Sequence, residues 1–340
     1  MGSIGVLTAG GDCPGLNAAI RGVVARITAS GREVIGIHEG WEGLMGGTAG
    51  PLTRDDVRGI LGRGGTILGT SRQDPYLHGE GHESIREKVE TLDIESVVVI
   101  GGDGSLRTAA QLQADGLPVI GIPKTIDNDI DGTDVSLGFH TAVQIVVDAI
   151  DRLTTTAESH NRVMVVEVMG RTAGWIAVAG GMAGGAEAIL VPEVEVDFED
   201  LAARIQARHD SGPNYSLVVV AEGTPGPSGE VSSTGTDQYG FSRIGGVCQS
   251  VAAELERLTG YESRPVMLGY LQRGGSPTAF DRILGTRFGI HAAELALEGR
   301  SGVMVALQGE DIVPVDLASA VESPRDLDES RFEEASWFLA

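Results

Sequence analysis

Residues 96–105 of this 340-residue sequence are Ser96-Val97-Val98-Val99-Ile100-Gly101-Gly102-Asp103-Gly104-Ser105, a short apolar run that ends in a glycine-rich turn. A second apolar run, residues 117–122, ends in Pro123-Lys124-Thr125-Ile126-Asp127-Asn128-Asp129. Short apolar runs bounded by turn residues are typical of buried strands in a parallel sheet. Further strand-like runs alternate with helix-length periodic segments along the rest of the chain. This alternation predicts an α/β fold with mostly parallel sheets covered by helices.

The two turns carry groups that suit phosphate and a metal ion. The glycines of the first turn would leave backbone N–H groups and Asp103 at the start of a helix, a geometry that favours anions and their cations. The second turn offers the hydroxyl of Thr125 and the carboxylates of Asp127 and Asp129, which share one side if the segment is extended. Carboxylates beside phosphate need a cation between them, and Mg²⁺ prefers oxygen ligands. The turns therefore predict one phosphoryl-transfer site that uses Mg²⁺.

A single turn of this kind is as often only a tight turn. A third glycine-rich turn favours a binding site over a mere tight turn. Residues 8–17, which include Gly11, follow the strand-like residues 4–7 and precede the helical residues 18–27. Three strand–turn–helix units would bring three phosphate-binding loops to the carboxyl ends of one parallel sheet. Open α/β sheets bind their ligands at that edge.

The composition excludes several classes of protein. Forty-eight acidic residues against 25 basic ones give a net charge of −23, which disfavours binding to nucleic acid. The two cysteines, Cys13 and Cys248, have no metal-ligand spacing, so no disulfide framework is expected and a reducing cytoplasm is the default. No run of 18 apolar residues occurs, so membrane insertion is not expected. Lys88 and Lys124 are the only lysines, which makes Lys124 conspicuous in its turn.

Four arginines lie at the ends of apolar strand-like runs: Arg162, Arg171, Arg264 and Arg273. The planar guanidinium group suits phosphate and carboxylate, although each arginine taken singly is more often a surface ion-pair partner. Together, in an otherwise acidic protein, they predict a clamp for an anionic substrate.

With these motifs in view, the sequence resembles the 6-phosphofructokinases of the bacterial glycolytic type. The turn at residues 123–129 is followed by Val-Glu-Val-Met-Gly-Arg at 166–171 and Gln-Arg-Gly-Gly-Ser-Pro at 272–277, and this order is close to diagnostic. The resemblance covers nearly the whole chain. It implies two Rossmann-like three-layer domains with mostly parallel sheets and the active site in the cleft between them. The domains would be 1–139 with about 272–322, which binds the phosphoryl donor, and about 140–271 with 323–340, which binds fructose 6-phosphate.

The resemblance also implies the reaction and the role of each residue. The enzyme would phosphorylate the 1-hydroxyl of D-fructose 6-phosphate to fructose 1,6-bisphosphate, the committed step of glycolysis. Asp127 would take the proton from that hydroxyl, and Asp103 and Asp129 would hold Mg²⁺. The transferring phosphoryl group would be contacted by Thr125, Arg72 and Arg171.

Binding roles carry over to a larger set of positions. The donor would be bound by Gly11, Arg72, Gly102, Asp103, Gly104, Ser105 and Lys124. The sugar phosphate would be bound by Thr125, Asp127, Asp129, Arg162, Met169, Gly170, Arg171, Glu222, Arg264, Tyr270 and Arg273. In this family Arg162 and Arg264 reach in from a neighbouring subunit, which implies a homo-oligomer, a tetramer or dimer with shared active sites. Tyr270 stands where the family commonly has histidine, and tyrosine can donate a hydrogen bond to phosphate but cannot be cationic.

The phosphoryl donor is either ATP or pyrophosphate. Within the family, aspartate after Gly-Gly-Asp and lysine before Thr-Ile-Asp-Asn-Asp accompany pyrophosphate use, whereas glycines at both positions accompany ATP. This chain combines Gly104 with Lys124. ATP is the preferred interpretation, because a carboxylate at position 104 would repel the nucleotide and Gly104 has none. Thr108 favours the alternative, since ATP-using relatives often have glycine there.

Two other classes of function fit this sequence less well. A dinucleotide-dependent dehydrogenase is disfavoured, because no Gly-x-Gly-x-x-Gly with a later acidic residue follows the first strand-like run. A non-catalytic sensor would be expected to have lost a carboxylate. Asp103, Asp127 and Asp129 are all present.

Overall fold

The structure is a computed structural model that describes residues 2–77, 79, 81–236 and 242–336. The chain divides into two compact units. The first is Met1–Thr141 with Arg273–Pro324, and the second is Ala142–Gln272 with Arg325–Ala340. No helix in the described ranges combines the length and the apolar character that crossing a membrane requires.

Strands and helices alternate along the chain, and most of them are short. In chain order they are β1 (Ser3–Ala9), α1 (Leu16–Ala29), β2 (Val34–Ile37), α2 (Trp41–Met45), β3 (Ala49–Pro51), α3 (Gly81–Thr91), β4 (Ile94–Gly101), α4 (Asp103–Ala114), β5 (Val119–Thr125), β6 (Leu137–Gly138), α5 (Phe139–His160), β7 (Val163–Val168), α6 (Trp175–Gly184), β8 (Ala188–Leu190), α7 (Phe198–Asp210), β9 (Ser216–Ala221), β10 (Ser233–Thr236), β11 (Ser242–Ile244), α8 (Val247–Thr259), β12 (Ser263–Met267), α9 (Ala279–Leu297), β13 (Val303–Gln308), β14 (Asp311–Asp316), α10 (Leu317–Ala320) and α11 (Glu329–Ser336). A 3₁₀ helix, Gly269–Arg273, precedes α9.

The first unit is built on an eight-stranded sheet in the order β14-β13-β5-β4-β1-β2-β3, with β6 beside β5. The central strands are parallel, and β3 and β14 are antiparallel to their neighbours at the two edges. The chain goes from β1 to β2 on one side and later to β4 on the other side. Strand order therefore reverses between β1 and β4, and such a point opens a crevice at the carboxyl ends of the two strands.

Buried apolar side chains explain why the central strands form here. All seven residues of β1 are buried, and in β4 only Glu95 is exposed. One face of the sheet packs on α3 and α4 through residues that include Ile85 and Leu106. On the other face α1 and α9 pack closely, since a Cβ added at Gly289 would lie 2.2 Å from the carbonyl oxygen of Ala19. Strands that are buried on both faces read as continuous apolar runs.

The second unit contains a four-stranded parallel sheet in the order β12-β7-β9-β8. Its apolar core joins residues of β7, β8 and β9 to α7 and α8. A separate antiparallel pair, β10 and β11, belongs to the same unit.

The predicted α/β class and mostly parallel sheets are confirmed. Several details differ from the sequence prediction. Between β7 and α6, Gly170 and Arg171 have positive φ angles of 142° and 52°, which no helix accepts, and α6 begins at Trp175. The antiparallel edge strands β3 and β14 were not predicted, since they are short or half-exposed and lack a continuous apolar run.

Candidate active site

The predicted turns of the first unit meet at one edge of its sheet. Pairing places Ala9 of β1 opposite Gly101 of β4, and Gly101 opposite Pro123 of β5. The turns that follow these three strands therefore lie side by side at their carboxyl ends. This arrangement is the one that the sequence predicts for residues 8–17, 101–105 and 123–129.

Glycines allow the first two turns to approach each other. Gly10 has φ +81°, and a Cβ there would lie 3.0 Å from the Ser105 hydroxyl oxygen. Gly102 is the N-cap of α4, so Asp103, Gly104 and Ser105 form the first turn of that helix. By contrast, a Cβ at Gly104 would meet no atom within 4 Å. The helix N-terminus thus presents its backbone N–H groups beside open space, which is the arrangement that binds phosphate.

Lys124 is buried, with 3 % of its surface exposed, and its ammonium group donates to the carbonyl oxygen of Gly11. Burial lowers the pKa of Lys124, while the nearby Cys13, Asp127 and Asp12 partly oppose this effect. The lysine therefore ties the end of β5 to the β1 turn. It also brings a cation into the predicted donor region.

Arg273 brings a second cation to the same turn. Its Nη1 donates to the carbonyl oxygen of Asp12 at 3.2 Å, and a Cβ at Gly11 would lie 2.7 Å from that nitrogen. Its Nε is buried and makes no hydrogen bond to any described residue. Two cations thus bind consecutive backbone carbonyls of one glycine turn, and their mutual repulsion contributes to the lowered pKa of Lys124.

The carboxylates after β5 occupy different environments. Asp127 is 4 % exposed, and its backbone N–H donates to the Thr125 hydroxyl at 3.1 Å. The pKa of Asp129 is raised to about 6, mainly by burial and in addition by the negative charges of Asp127 and Asp103. Asp103 itself is partly exposed and pairs with Arg107 at 3.0 Å. The three predicted carboxylates are therefore close enough to interact electrostatically.

These residues fit a bound Mg²⁺. No group of three or more His, Cys, Asp or Glu residues able to hold a metal occurs within the described ranges. Mg²⁺ does not require such a group, because it keeps several waters and uses one or two carboxylates together with substrate phosphates. The Oδ1 atom of Asp129 is buried without a hydrogen bond to any described residue. A divalent cation would neutralise the excess negative charge that raises the pKa of Asp129.

Arg72 is exposed and lies on a loop that is attached to the β1 turn. The N–H of Gly10 donates to the Ser71 carbonyl oxygen at 2.9 Å, and the Thr70 hydroxyl donates to the Gly10 carbonyl oxygen at 2.6 Å. The backbone next to Arg72 is thus held beside the glycine turn. The structure brings Gly11, Arg72, Lys124 and Arg273 to one region of the first unit.

In the second unit, the segment after β7 meets the segment after β9. Met169, Gly170 and Arg171 follow β7, and the buried Glu222 follows β9. The N–H of Arg171 donates to Glu222 Oε1 at 3.1 Å, and the N–H of Glu222 donates to the Val168 carbonyl oxygen at 2.8 Å. Four of the residues predicted to bind the sugar phosphate in this unit therefore form one cluster.

Arg162 and Arg264 lie at the opposite end of the same sheet, where β7 and β12 begin. Both bind the carboxylate of Glu262, and Arg162 does so with two hydrogen bonds of 2.9 and 3.0 Å. Arg162 in particular lowers the pKa of Glu262. At about 3.3 Å per strand residue, roughly 20 Å separates Arg162 from Met169. The arginines of this unit thus do not gather into one clamp. Tyr270 is 79 % exposed.

A family model described as phosphofructokinase matches residues 3–296. The chain belongs to this family. It is 50 % identical over 339 residues to the ATP-dependent 6-phosphofructokinase 3 of Streptomyces coelicolor, covering 99 % of both chains. It is equally identical, over 340 residues and 99 % of both chains, to the pyrophosphate–fructose 6-phosphate 1-phosphotransferase of Amycolatopsis methanolica.

Among solved structures, the Pichia pastoris phosphofructokinase in the T-state aligns with a TM-score of 0.83 and 32 % identity. The alignment covers 94 % of this chain and 35 % of the Pichia chain, so this chain spans about a third of that protein. The family and fold are thereby established. The names of the bacterial relatives include both phosphoryl donors, so similarity alone does not choose between them.

The structure adds one residue, Gln272, to which the sequence analysis assigns no role. Gln272 is fully buried, and its Oε1 accepts the N–H of Met169 at 3.2 Å. Its Nε2 donates to the Gly269 carbonyl oxygen at 3.1 Å. Gln272 belongs to the Gln-Arg-Gly-Gly-Ser-Pro motif at 272–277, in which the family resemblance assigns a role only to Arg273. An amide that is buried beside a binding segment is held there by hydrogen bonds, and burial is not visible in one sequence.

Proposed function

We propose that the protein is a 6-phosphofructokinase that transfers a phosphoryl group from Mg-ATP to the 1-hydroxyl of D-fructose 6-phosphate, the committed step of glycolysis in the cytoplasm. The observation that carries this proposal is the buried Asp127 with Asp129 at the end of β5, beside the open helix N-terminus at Gly104. Relatives at 50 % identity named for this reaction support it.

Asp127 is proposed as the general base. It would accept the proton of the sugar 1-hydroxyl as that oxygen attacks phosphorus, and a buried carboxylate with neighbouring negative charge is suited to this role. Thr125, which accepts the N–H of Asp127, would orient the carboxylate and contact the transferring group. Asp103 and Asp129 would hold Mg²⁺, which supplies charge neutralisation for the donor phosphates when bound.

Positioning and charge stabilisation provide most of the rate in phosphoryl transfer. The backbone N–H groups at the start of α4 and the side chains of Arg72 and Arg171 are proposed to stabilise the charge of the transferred group. The donor site is proposed to include Gly11, Gly102, Gly104, Ser105 and Lys124. Two observations support this donor site: the ends of the three strands lie side by side, and Ser105 packs against Gly10.

Sugar recognition is proposed for Met169, Gly170 and Glu222, whose cluster follows β7 and β9, and for Arg273. Tyr270, which follows β12, is proposed to donate a hydrogen bond to the 6-phosphate of the sugar. Arg162 and Arg264 are proposed to bind the 6-phosphate of a substrate held mainly by another copy of the chain. The separation of roughly 20 Å between the two ends of β7 supports this, because one sugar phosphate cannot reach both ends. The active form would then be a homo-oligomer, a dimer or tetramer.

ATP is the proposed donor for two reasons. The space around Gly104 is open, so nothing in the first turn of α4 would crowd or repel the nucleotide. The ammonium of Lys124, the feature that favours pyrophosphate, already donates to the Gly11 carbonyl and supports the turn. Pyrophosphate is the second candidate, and its support is the presence of Lys124 together with the relative from Amycolatopsis methanolica.

The test is a direct assay of the purified protein with fructose 6-phosphate, Mg²⁺ and either ATP or pyrophosphate, with fructose 1,6-bisphosphate followed by phosphorus NMR. We expect product with ATP at a rate well above that with pyrophosphate. Turnover with Mg-pyrophosphate and none with millimolar Mg-ATP would contradict the donor assignment. No product with either donor would contradict the reaction itself.

A further inference from the structure

The segment between β7 and α6 has a backbone that must be held in place. Gly170 has φ +142° and Arg171 has φ +52°. A non-glycine residue in the left-handed region is strained and persists only where surrounding contacts maintain it. One such contact is the hydrogen bond from the Arg171 N–H to Glu222. The other end of this segment, at Gly174, needs separate support.

Glu193 provides that support at Gly174, the N-cap of α6. Gly174 has no side chain that could cap the helix, and its backbone N–H donates to Glu193 Oε1 at 2.9 Å. A Cβ at Gly174 would lie 2.5 Å from Val191 Cγ1, so the residue is in close contact with the segment that carries Glu193. A carboxylate at a helix N-terminus satisfies an orphan donor and interacts favourably with the helix dipole.

Residues 325–327, which we name the C-terminal strap, bind the same helix start. The N–H of Leu327 donates to Glu193 Oε1 at 3.3 Å, and the Leu327 side chain is buried. The indole N–H of Trp175 donates to the Arg325 carbonyl oxygen at 3.3 Å, and the Arg325 guanidinium lies 4.4 Å from the centre of the Trp175 ring. Trp175, the first residue of α6, is buried between these groups.

We propose that the C-terminal strap is a positioning element for substrate, which fixes the segment Met169–Arg171 through Trp175 and Glu193. The proposal rests on the sugar-binding role assigned above to that segment. The strap contributes one cation–π contact and two hydrogen bonds. Without them the start of α6 can shift, and Arg171 can relax toward a more favourable backbone conformation. Affinity for the sugar phosphate would then fall while donor binding stays unchanged.

Two pairs of variants separate this role from a general loss of stability. Arg325→Met removes the cation but keeps a long apolar side chain, whereas Arg325→Lys keeps the cation. Glu193→Leu removes both accepted hydrogen bonds, whereas Glu193→Gln keeps the Oε1 acceptor. Glu195→Leu is the matched control, because Glu195 is an exposed glutamate two positions away from Glu193.

Two measurements decide the proposal. We expect Arg325→Met and Glu193→Leu to raise KM for fructose 6-phosphate by about 5- to 20-fold, to change donor KM by less than about twofold, and to be largely rescued in the Lys and Gln variants. Hydrogen exchange at the amides of Arg171, Ala173 and Gly174 should accelerate by about tenfold in the same two variants and not in the control.

Hydrogen exchange keeps this proposal separate from the proposed function. If the wild-type protein phosphorylates fructose 6-phosphate but the variants leave its KM unchanged, the positioning role is wrong and the reaction stands. If the three amides exchange at the wild-type rate in Arg325→Met and Glu193→Leu, the strap does not hold the segment. A wild-type protein with no phosphofructokinase activity would overturn the sugar-binding role, and with it the substrate role of the strap.

Discussion

At the residue scale, the carboxylates that follow β5 differ in their access to water. Asp127 and Asp129 are largely buried, whereas Asp131, in the same turn, is exposed and accepts the N–H of Gly132 at 2.7 Å. Burial removes water from the first two carboxylates, so nearby charges and hydrogen bonds determine how stable their charged forms are. This contrast supplies a matched control for substitutions in one turn.

Asp127→Asn should lower kcat by about 10²- to 10⁴-fold while KM for fructose 6-phosphate changes little, because the amide keeps the shape of the side chain but cannot take the proton. Steady-state kinetics beside Asp131→Asn measure this. A kcat within threefold of the wild type would remove Asp127 from the role of base.

Gly104→Asp should reduce kcat/KM for ATP by roughly 10- to 100-fold, since a carboxylate near the nucleotide phosphates adds repulsion that solvent only partly screens. The new Cβ meets no atom within 4 Å, so folding should be unaffected. Gly104→Ala is the control for the added methyl group, and Lys124→Met should have a smaller effect on ATP use. Equal ATP kinetics in the Asp and Ala variants would show that charge at this position does not select the donor.

Asp129 should make the ligand-free protein less stable as the pH rises. Its pKa is about 6 in the folded chain, above the value for an exposed aspartate, so the folded state binds the proton more tightly than the unfolded state. The resulting stability is fully present below the unfolded pKa and is lost as pH rises through 6. Asp129→Asn should therefore raise Tm relative to the wild type at pH 8, with the difference vanishing toward pH 4. Thermal scans across this range, with Asp131→Asn showing no such trend, provide the check.

At the element scale, local sequence was sufficient for the buried strands and their turns. Each of β1, β4 and β5 contains a short apolar run that leads into a glycine-rich or polar segment, so both their positions and the grouping of Asp103, Thr125 and Asp127 could be predicted. The edge strand β14 could not, because none of its six residues is buried and it includes a proline. Which segment pairs with the edge of a sheet depends on the rest of the fold and not on the local sequence.

The contacts that hold the site together could not be predicted from local sequence either. Lys124 stands out in the sequence by its rarity, but its bond to Gly11 joins positions 113 residues apart. Nothing in the sequence distinguishes Glu193 from the other acidic residues. Its carboxylate accepts the N–H of Gly174, which is 19 positions away in the chain. One sequence carries no signal for such pairs.

Close packing of α1 on α9 gives a prediction about these helices. Gly289→Ala should lower the free energy of unfolding by about 1–3 kcal/mol, because the new Cβ would lie 2.2 Å from the Ala19 carbonyl oxygen and the helices must separate. Gly104→Ala makes the same chemical change in α4 where there is space, so it should be neutral or slightly stabilising. Urea unfolding of both variants tests this, and similar losses in the two would contradict the packing argument.

At the scale of the whole molecule, the net charge of −23 dominates long-range electrostatics. Self-repulsion weakens as salt shortens the Debye length from about 10 Å at 0.1 M to about 3 Å at 1 M. Tm should therefore rise as KCl increases from 0.1 to 2 M at pH 7.5. The same titration near pH 5, close to the isoelectric point of about 4.6, should give a much smaller rise. A flat or falling Tm at pH 7.5 would show that repulsion does not limit stability.

The order of strands in the first unit has a consequence for biosynthesis. β13 pairs with β5, yet roughly 180 residues of chain separate the end of one from the start of the other. At about 5–20 residues per second, a ribosome needs on the order of 10–40 s to supply β13 after β5 has emerged. During that interval β5, with the apolar residues Val119, Ile120 and Ile122, has an unpaired outer edge, and such an edge can pair with other nascent chains. Until translation reaches β13, this edge of β5 is therefore available for pairing with another chain or for binding by a chaperone.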